Sequence, residues 1–155
     1  MKKNLFYYLF AVICSVTLFT SCDDDDDDVA VMSVDQVVGT FTGTLELEAL
    51  QQTVPNTPIT VSKVDANTVK VELKKFEFAG ITIGDIAANC KATLDKEGDD
   101  FELNGSTTLT VAALGDLELP ITITGEVDVK ELDIDINITD VPGIGTLKVE
   151  FEGTK

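Results

Sequence analysis

Residues 39–50, GTFTGTLELEAL, alternate between apolar and polar side chains. This period of two predicts a β-strand buried on one side, because successive side chains of a strand point to opposite faces. The buried face would carry Phe41, Leu45, Leu47 and Ala49. The following residues 51–58 contain two prolines and an asparagine, so a loop is expected there.

Residues opposite each other on antiparallel strands share a face, so a turn is correctly placed when it pairs apolar residues with apolar residues. Residues 65–67 are predicted to be a three-residue hairpin turn with Asn67 in the left-handed conformation. This turn, together with turns at 95–100 and 112–116, predicts the pairs Ile59–Leu73, Val61–Val71, Leu94–Phe101, Ala92–Leu103, Cys90–Gly105, Ile86–Leu109, Val111–Leu117, Leu109–Leu119 and Thr107–Ile121.

A turn is also expected at residues 130–131, where the apolar positions change from odd to even numbers. It predicts the inward pairs Val129–Leu132, Val127–Ile134 and Ile123–Ile138, and the outward pairs Asp128–Asp133 and Glu126–Asp135. Opposed like charges destabilise a sheet. Screening by solvent and a bound cation are both compatible with these acidic pairs.

The predicted fold is all-β, an antiparallel up-and-down meander of about eight strands. The last strand, residues 146–152, would point Leu147, Val149 and Phe151 inward. Closure into a barrel would remove the exposed strand edges. A two-sheet β-sandwich remains the alternative, because alternation alone does not separate the two.

Residues 74–84 interrupt the alternation. The apolar positions shift from odd to even across Lys74–Lys75, which predicts a β-bulge. The chain would then turn at residues 79–80 and place Phe76 opposite Ile83 and Phe78 opposite Ile81, which brings these four apolar side chains together. These four form either a plug that completes the core or an apolar lip for a ligand or partner.

The N-terminus has the features of a secretory signal peptide, residues 1–21. Lys2 and Lys3 precede an apolar run over residues 5–19, and small residues lead up to Cys22. The apolar run is shorter than the roughly 20 residues that a membrane-spanning helix needs. The segment resembles the lipobox of bacterial lipoproteins, in which the cysteine becomes the lipid-carrying first residue. Phe19 stands where that motif usually has leucine.

Residues 22–37 are therefore predicted to be a lipidated, aspartate-rich tether to the membrane. A solvated spacer is one interpretation of its acidic tract. The tract also resembles the export signal of Bacteroidetes surface lipoproteins, and it comprises Asp23, Asp24, Asp25, Asp26, Asp27 and Asp28. That resemblance implies a surface-exposed protein of the outer membrane. In other Gram-negative bacteria aspartate after the cysteine resembles an inner-membrane retention signal, so a periplasm-facing location is the alternative.

The composition excludes several functional classes. Without residues 1–21 the chain has nine lysines against 28 acidic residues, a net charge of −19 that disfavours nucleic acid binding. The whole chain lacks histidine, arginine and tryptophan, so it lacks the commonest general base and the best anion clamp. Cys90 is expected to be a buried small hydrophobe. The acidic residues 95–100 are expected to form an exposed turn, and we predict no metal, no cofactor and no enzymatic activity.

Three short segments carry a resemblance to a known family: residues 38–45 (VGTFTGTL), residues 76–80 with 83–86 (FEFAG, IGDI) and residues 149–155 (VEFEGTK). They are similar to the calycin-like β-barrel domain of Bacteroidetes lipoproteins, and the barrel is assigned to residues 38–155. The resemblance implies a lipocalin-related barrel and identifies no catalytic residue. The expected function is binding of a small apolar ligand. The alternative is a surface interaction or accessory protein, partnered with another envelope protein, whose barrel is packed and has no ligand.

Overall fold

The computed structural model describes residues 31–155. The predicted signal peptide, Cys22 and the aspartate tract lie outside the described residues. No helix in the described part of the chain is long and apolar enough to cross a membrane.

Eight antiparallel strands follow one another around a closed barrel, each paired with the next and the last paired with the first. They are β1 (Gly39–Leu47), β2 (Gln52–Asp65), β3 (Thr68–Phe78), β4 (Ile81–Leu94), β5 (Phe101–Val111), β6 (Leu117–Val127), β7 (Glu131–Val141) and β8 (Gly145–Thr154). A short helix α1 (Val34–Val37) precedes them, and 3-10 helices occupy Glu48–Leu50 and Ala112–Leu114. The predicted all-β barrel is confirmed, and the β-sandwich alternative is wrong.

The barrel closes where β1 pairs with β8, from Thr42–Thr154 to Leu47–Val149. Gly43 lies opposite Gly153 in this ladder. A Cβ atom on Gly43 would overlap the backbone of Glu152 and Gly153. The two strands can therefore approach each other only because no side chain stands between them.

The inward side chains of all eight strands form one hydrophobic core. Phe41 and Phe151 are fully buried in its centre, and no polar or charged side chain between residues 31 and 155 is buried. Because the sheet and its core are complete within these residues, the barrel can be studied without the preceding segment.

Helix α1 covers one end of the barrel, which we call the closed end. Its Val34 and Val37 are buried against the core. Ser33 and Gln36 cap the helix start in a reciprocal capping box. From the C-terminal side, the Lys155 Nζ atom donates hydrogen bonds to the carbonyl oxygens of Gln36 (3.0 Å) and Val38 (2.9 Å). The opposite end, formed by the β1–β2, β3–β4, β5–β6 and β7–β8 turns, is called the open end.

The registers predicted for β2–β3 and β5–β6 are confirmed, and so are the β4–β5 pairs from Cys90–Gly105 to Leu94–Phe101. The prediction of a three-residue turn between β2 and β3 was wrong in detail. It has two residues, Ala66 and Asn67, because Val64 is accommodated as a bulge next to Asp65. Asn67 is not left-handed, and its N–H donates to the Asp65 carboxylate at 2.8 Å. This local hydrogen bond stabilises the turn in place of a left-handed residue.

Two further expectations about the β1–β2 hairpin were wrong. Residues 51–58 are not a loop, since β2 already begins at Gln52. The prolines are tolerated because β2 pairs only with β1 over these residues and has a free edge on its other side. The β1–β2 ladder is also broken by a bulge between Gly43 and Leu45. Ala49 does not face the core either, because a 3-10 helix replaces the strand there and leaves it exposed.

The predicted β6–β7 register was wrong by two residues. Val127 pairs with Leu132 and Ile123 with Ile136, so Val129–Leu132, Val127–Ile134 and Ile123–Ile138 do not form. Residues 128–131 are the turn, in which the Asp128 carboxylate accepts the N–H groups of Lys130 and Glu131. The turn keeps these hydrogen bonds instead of burying the Val129 side chain, which is 45% exposed.

The shift also changes the outward pairs. Asp128 does not face Asp133, and Glu126 does not face Asp135. Instead Glu126 lies opposite Asp133, and Asp135 lies opposite Thr124. The acidic surface that the sequence indicated is present with different partners.

Candidate functional site

A cavity of about 270 Å³ opens at the open end of the barrel. Its wall is made by β3, β4, β6, β7 and β8 through the side chains Phe76, Phe78, Ile83, Leu119, Ile138 and Leu147. Leu114 and Ile144, from two of the turns, line its mouth together with Ile81. The cavity is lined by apolar residues throughout, so it is suited to an apolar molecule.

Two β-bulges shape this wall. Lys75 has φ 54° and interrupts the β3–β4 ladder between Leu73 and Phe76, and its N–H donates to the Asp85 carboxylate at 2.8 Å. Asp140, with φ 61°, lies in an equivalent irregularity of the β7–β8 ladder just before Val141. A bulge adds one residue to its strand and redirects the side chains that follow. Phe76 and Val141 reach the cavity in this way.

The four residues predicted as a plug or lip are brought together by the structure. Ala79 and Gly80 form the turn with φ of 51° and 78°, as in the tight turns that favour hairpins. Phe78 lies opposite Ile81 as expected, but Phe76 lies opposite Gly84 rather than Ile83, because the ladder shifts between Phe76 and Glu77. The Phe76, Phe78 and Ile83 side chains are buried, whereas Ile81 is 38% exposed at the mouth. These residues therefore complete the core and wall the cavity at once.

The barrel wall is incomplete beside the cavity. The β4–β5 ladder ends at Cys90–Gly105, so the predicted pair Ile86–Leu109 does not form. Residues 81–89 of β4 and 106–111 of β5 thus lack a ladder with each other. At Gly105 β5 approaches the backbone of Asn89 so closely that an added Cβ atom would lie 2.6 Å from the Asn89 carbonyl oxygen. Beyond this crossing the strands diverge, which leaves a seam that can widen without breaking ladder hydrogen bonds.

The outer surface is strongly acidic between β5 and β8. One row across the four strands consists of Glu102, Glu126, Asp133 and Glu152. In the neighbouring row Asp135 lies opposite Glu150. Lys148 offsets part of their charge, since its Nζ lies 3.1 Å from Glu150 and 4.0 Å from Asp135. The hydrogen bond to Glu150, together with the nearby acids, raises the pKa of Lys148. The acids elsewhere in these rows make the surface repel anions.

The β4–β5 turn gathers Asp95, Glu97 and Asp99, whose carboxylate oxygens lie within 4.8 Å of one another. The Asp95 carboxylate accepts the N–H groups of Glu97 (3.0 Å) and Gly98 (2.7 Å). Burial, followed by the charges of the surrounding acids, raises the pKa of the adjacent Asp100. The sequence predicted a turn at residues 95–100, and these hydrogen bonds account for its shape.

Cys90 lies on the inner face opposite Gly105 and is fully buried. Burial raises the pKa of its thiol to about 11. The thiol is therefore neutral at physiological pH, and it lacks the thiolate character that a nucleophile or metal ligand requires.

The comparisons with known proteins concern the barrel. A search of curated proteins finds no match. A candidate outer membrane protein of Bacteroides fragilis NCTC 9343, known from a crystal structure at 2.40 Å resolution, has a similar fold with a TM-score of 0.57 and 20% sequence identity. The similarity covers 79% of this chain and 52% of that one, so the chain spans about half the length of its structural relative. The model of the calycin-like β-barrel domain family matches residues 37–154, and the chain therefore belongs to that family.

Proposed function

We propose that this chain is a lipid-anchored protein of the cell envelope whose barrel binds a small apolar molecule at the open end, without catalysis. The observation that carries the proposal is the cavity of about 270 Å³, lined by apolar side chains. Ligand cavities of proteins are typically about 300–1,000 Å³, so this one, just below that range, suits a small molecule.

Exposed apolar residues around the mouth support the same conclusion. Ile81 and Ile144 are 38% and 40% exposed, and both line the cavity entrance. Leu50, on the β1–β2 turn of the same end, is 40% exposed. Apolar surface that stays in contact with water is unfavourable, and its position at the entrance of an apolar cavity is typical of binding sites.

Catalysis is disfavoured by the available side chains. The chain has no histidine or arginine, and the Cys90 thiol is held neutral inside the barrel. The cavity wall offers no titratable group to a bound molecule. Binding and release are therefore the chemistry that the site can perform.

The location follows from the N-terminal segment. Cys22 would carry the lipid, and Asp23–Asp28 would direct the protein to the outer face of the outer membrane. The similar fold of a candidate outer membrane protein of Bacteroides fragilis agrees with an envelope location. The chain enters the barrel at the closed end through α1, so the tether and the cavity mouth would lie at opposite ends.

Ligand binding is tested with a neutral fluorescent probe, N-phenyl-1-naphthylamine, added to the purified barrel. We expect Leu119→Phe to weaken probe binding by roughly tenfold or more, because the larger ring occupies the cavity. Val64→Phe is the matched control, since Val64 is 50% exposed at the bulge of β2 near the closed end. Thermal unfolding of both variants checks that they are folded. Unchanged probe affinity in Leu119→Phe would contradict binding at this site.

Lipid anchoring is tested by growing cells with labelled palmitate. The Cys22→Ser variant should incorporate no label, because the serine hydroxyl cannot form the thioether that carries the lipid. Cys90→Ala is the control and should be labelled like the unaltered protein, since Cys90 is buried in the barrel. Undiminished labelling of Cys22→Ser would refute the anchor.

An interaction protein is the second candidate, supported by the same exposed residues at the open end. Leu50 is 40% exposed but does not line the cavity, so it would contact a protein partner rather than a small ligand. Mass spectrometry of small molecules extracted from protein made in its native host separates the two functions. A stoichiometric apolar compound favours ligand binding, and its absence together with a failed probe experiment favours the partner.

A further inference from the structure

We infer that the cavity selects neutral or cationic apolar molecules and rejects anionic ones, fatty acids included. This inference rests on the proposed function, because it concerns the ligand class of the same cavity. It follows from where a ligand headgroup must lie and from the charges that it meets there.

A charged headgroup has no place inside the cavity. The lining side chains are apolar, and no polar side chain among residues 31–155 is buried. Burying an ion without a partner is strongly unfavourable. The headgroup of an amphiphilic ligand must therefore lie in the mouth, among the side chains of the open end.

The charged residues next to the lining residues are mainly acidic. Six carboxylates come from the β1–β2 and β5–β6 turns and from the adjoining parts of β3, β4, β6 and β7: Glu48, Glu77, Asp85, Asp116, Glu118 and Asp140. Three lysines lie in the same region: Lys74, Lys75 and Lys148. The mouth thus has a net charge of −3, on a barrel that is itself acidic.

The three lysines do not reverse the negative charge of the mouth. Lys148 is already surrounded by carboxylates, with its Nζ 3.1 Å from Glu150 and 3.7 Å from Glu48. Lys74 and Lys75 are exposed on the β3 bulge, opposite Asp85 and close in sequence to Glu77, so these four residues together add no net charge to the mouth. An anionic headgroup therefore enters a region of negative potential, whereas an ammonium group is attracted to it.

The cavity volume sets the size of the apolar part. About 270 Å³ equals the space of roughly nine water molecules at about 30 Å³ each. A slender chain of about ten carbons, or the ten-carbon naphthalene ring of the probe with its phenyl ring left in the mouth, fills this volume. Three ligands with the same ten-carbon tail and different headgroups therefore test the inference: decanol, decanoate and decyltrimethylammonium.

Binding of each ligand to the purified barrel is measured by displacement of N-phenyl-1-naphthylamine at low salt, and Leu119→Phe checks that the signal comes from the cavity. We expect decanol and decyltrimethylammonium to bind, and decanoate to bind roughly tenfold more weakly than decanol. This ratio is the effect of three net charges about 10 Å from the headgroup in water. The ratio should shrink at 0.5 M salt, because exposed charges are then screened over a few ångströms.

Two double variants distinguish the effect of the charges at the mouth from the effect of the net charge of the whole barrel. Asp116→Asn with Asp140→Asn reduces the net charge of the mouth from −3 to −1, and asparagine suits both positions because each has φ 61°. Glu102→Gln with Glu126→Gln removes the same charge from the β5–β6 pair nearer the closed end. The first should raise the affinity for decanoate about threefold or more, and the second should change it less than about twofold.

The outcomes distinguish this inference from the function on which it rests. If decanoate binds as tightly as decanol in a manner that Leu119→Phe abolishes, the cavity binds ligands but the charge selection is wrong. If both double variants change decanoate binding equally, the mouth does not select. If none of the three ligands displaces the probe, the ligand-binding function fails and the inference with it.

Discussion

Gly43→Ala is expected to lower the free energy of unfolding by about 3 kcal/mol, because the added methyl group forces β1 and β8 apart. A Cβ atom at Gly43 would overlap the backbone of Glu152 and Gly153. Backbone atoms cannot move aside as the end of a flexible side chain can, so the strands must separate where the barrel closes. The melting temperature should fall by roughly 10 °C or more for a domain of this size.

Chemical denaturation followed by circular dichroism measures this loss, and Gly98→Ala is the matched control. Gly98 lies in the β4–β5 turn with φ +81°, and nothing lies within 4 Å of a Cβ added there. Its substitution adds conformational strain without a clash and should cost about 1–2 kcal/mol. Gly43 has no such positive φ, so its effect is a clash without strain. Equal losses in the two variants would mean that the close approach of β1 and β8 is not needed for closure.

Phe151→Ala is expected to cost about 4 kcal/mol, because it removes a fully buried ring from the centre of the core. Phe76→Ala is the control, since Phe76 lines the existing cavity and its truncation enlarges a space that is already open. The structure around such a site loses fewer contacts, so we expect about half the loss of Phe151→Ala. Thermal and chemical unfolding of the two variants measure the difference.

This pair also tests how the barrel is filled. A larger loss for Phe151 than for Phe76 means that the middle of the barrel is packed and the open end is hollow. Equal losses would indicate that the open end is as well packed as the middle, which would remove the basis for ligand binding. The probe experiment with Leu119→Phe is independent of this stability measurement.

Alternation was sufficient to predict most of the strands and their inward faces. Each strand is buried on one side, so polar and apolar residues must alternate along it. The pairs Ile59–Leu73, Leu94–Phe101 and Leu109–Leu119 were predicted because a local turn fixes which residues face each other. Phe76 and Phe78 were identified as unusual because the alternation changes phase before them.

The β6–β7 register was missed for a definite reason. A slip of one residue would expose the whole inner face, but a slip of two keeps every side chain on its face. Alternation therefore cannot choose between Ile123–Ile136 and Ile123–Ile138. The choice is made by the Asp128 carboxylate, whose hydrogen bonds to Lys130 and Glu131 fix the turn at residues 128–131.

The sequence by itself determined the strands, their buried faces and the acidic, histidine-free surface, because these depend on composition and on neighbours along the chain. The tertiary structure alone decided closure, the β4–β5 seam and the cavity. Closure requires β1 and β8, the first and last strands of the barrel, to pair at residues as distant in sequence as Gly43 and Gly153. The cavity exists because eight strands enclose more space at the open end than the side chains of Phe76, Leu119 and Ile138 fill, and no local pattern records such a difference in volume.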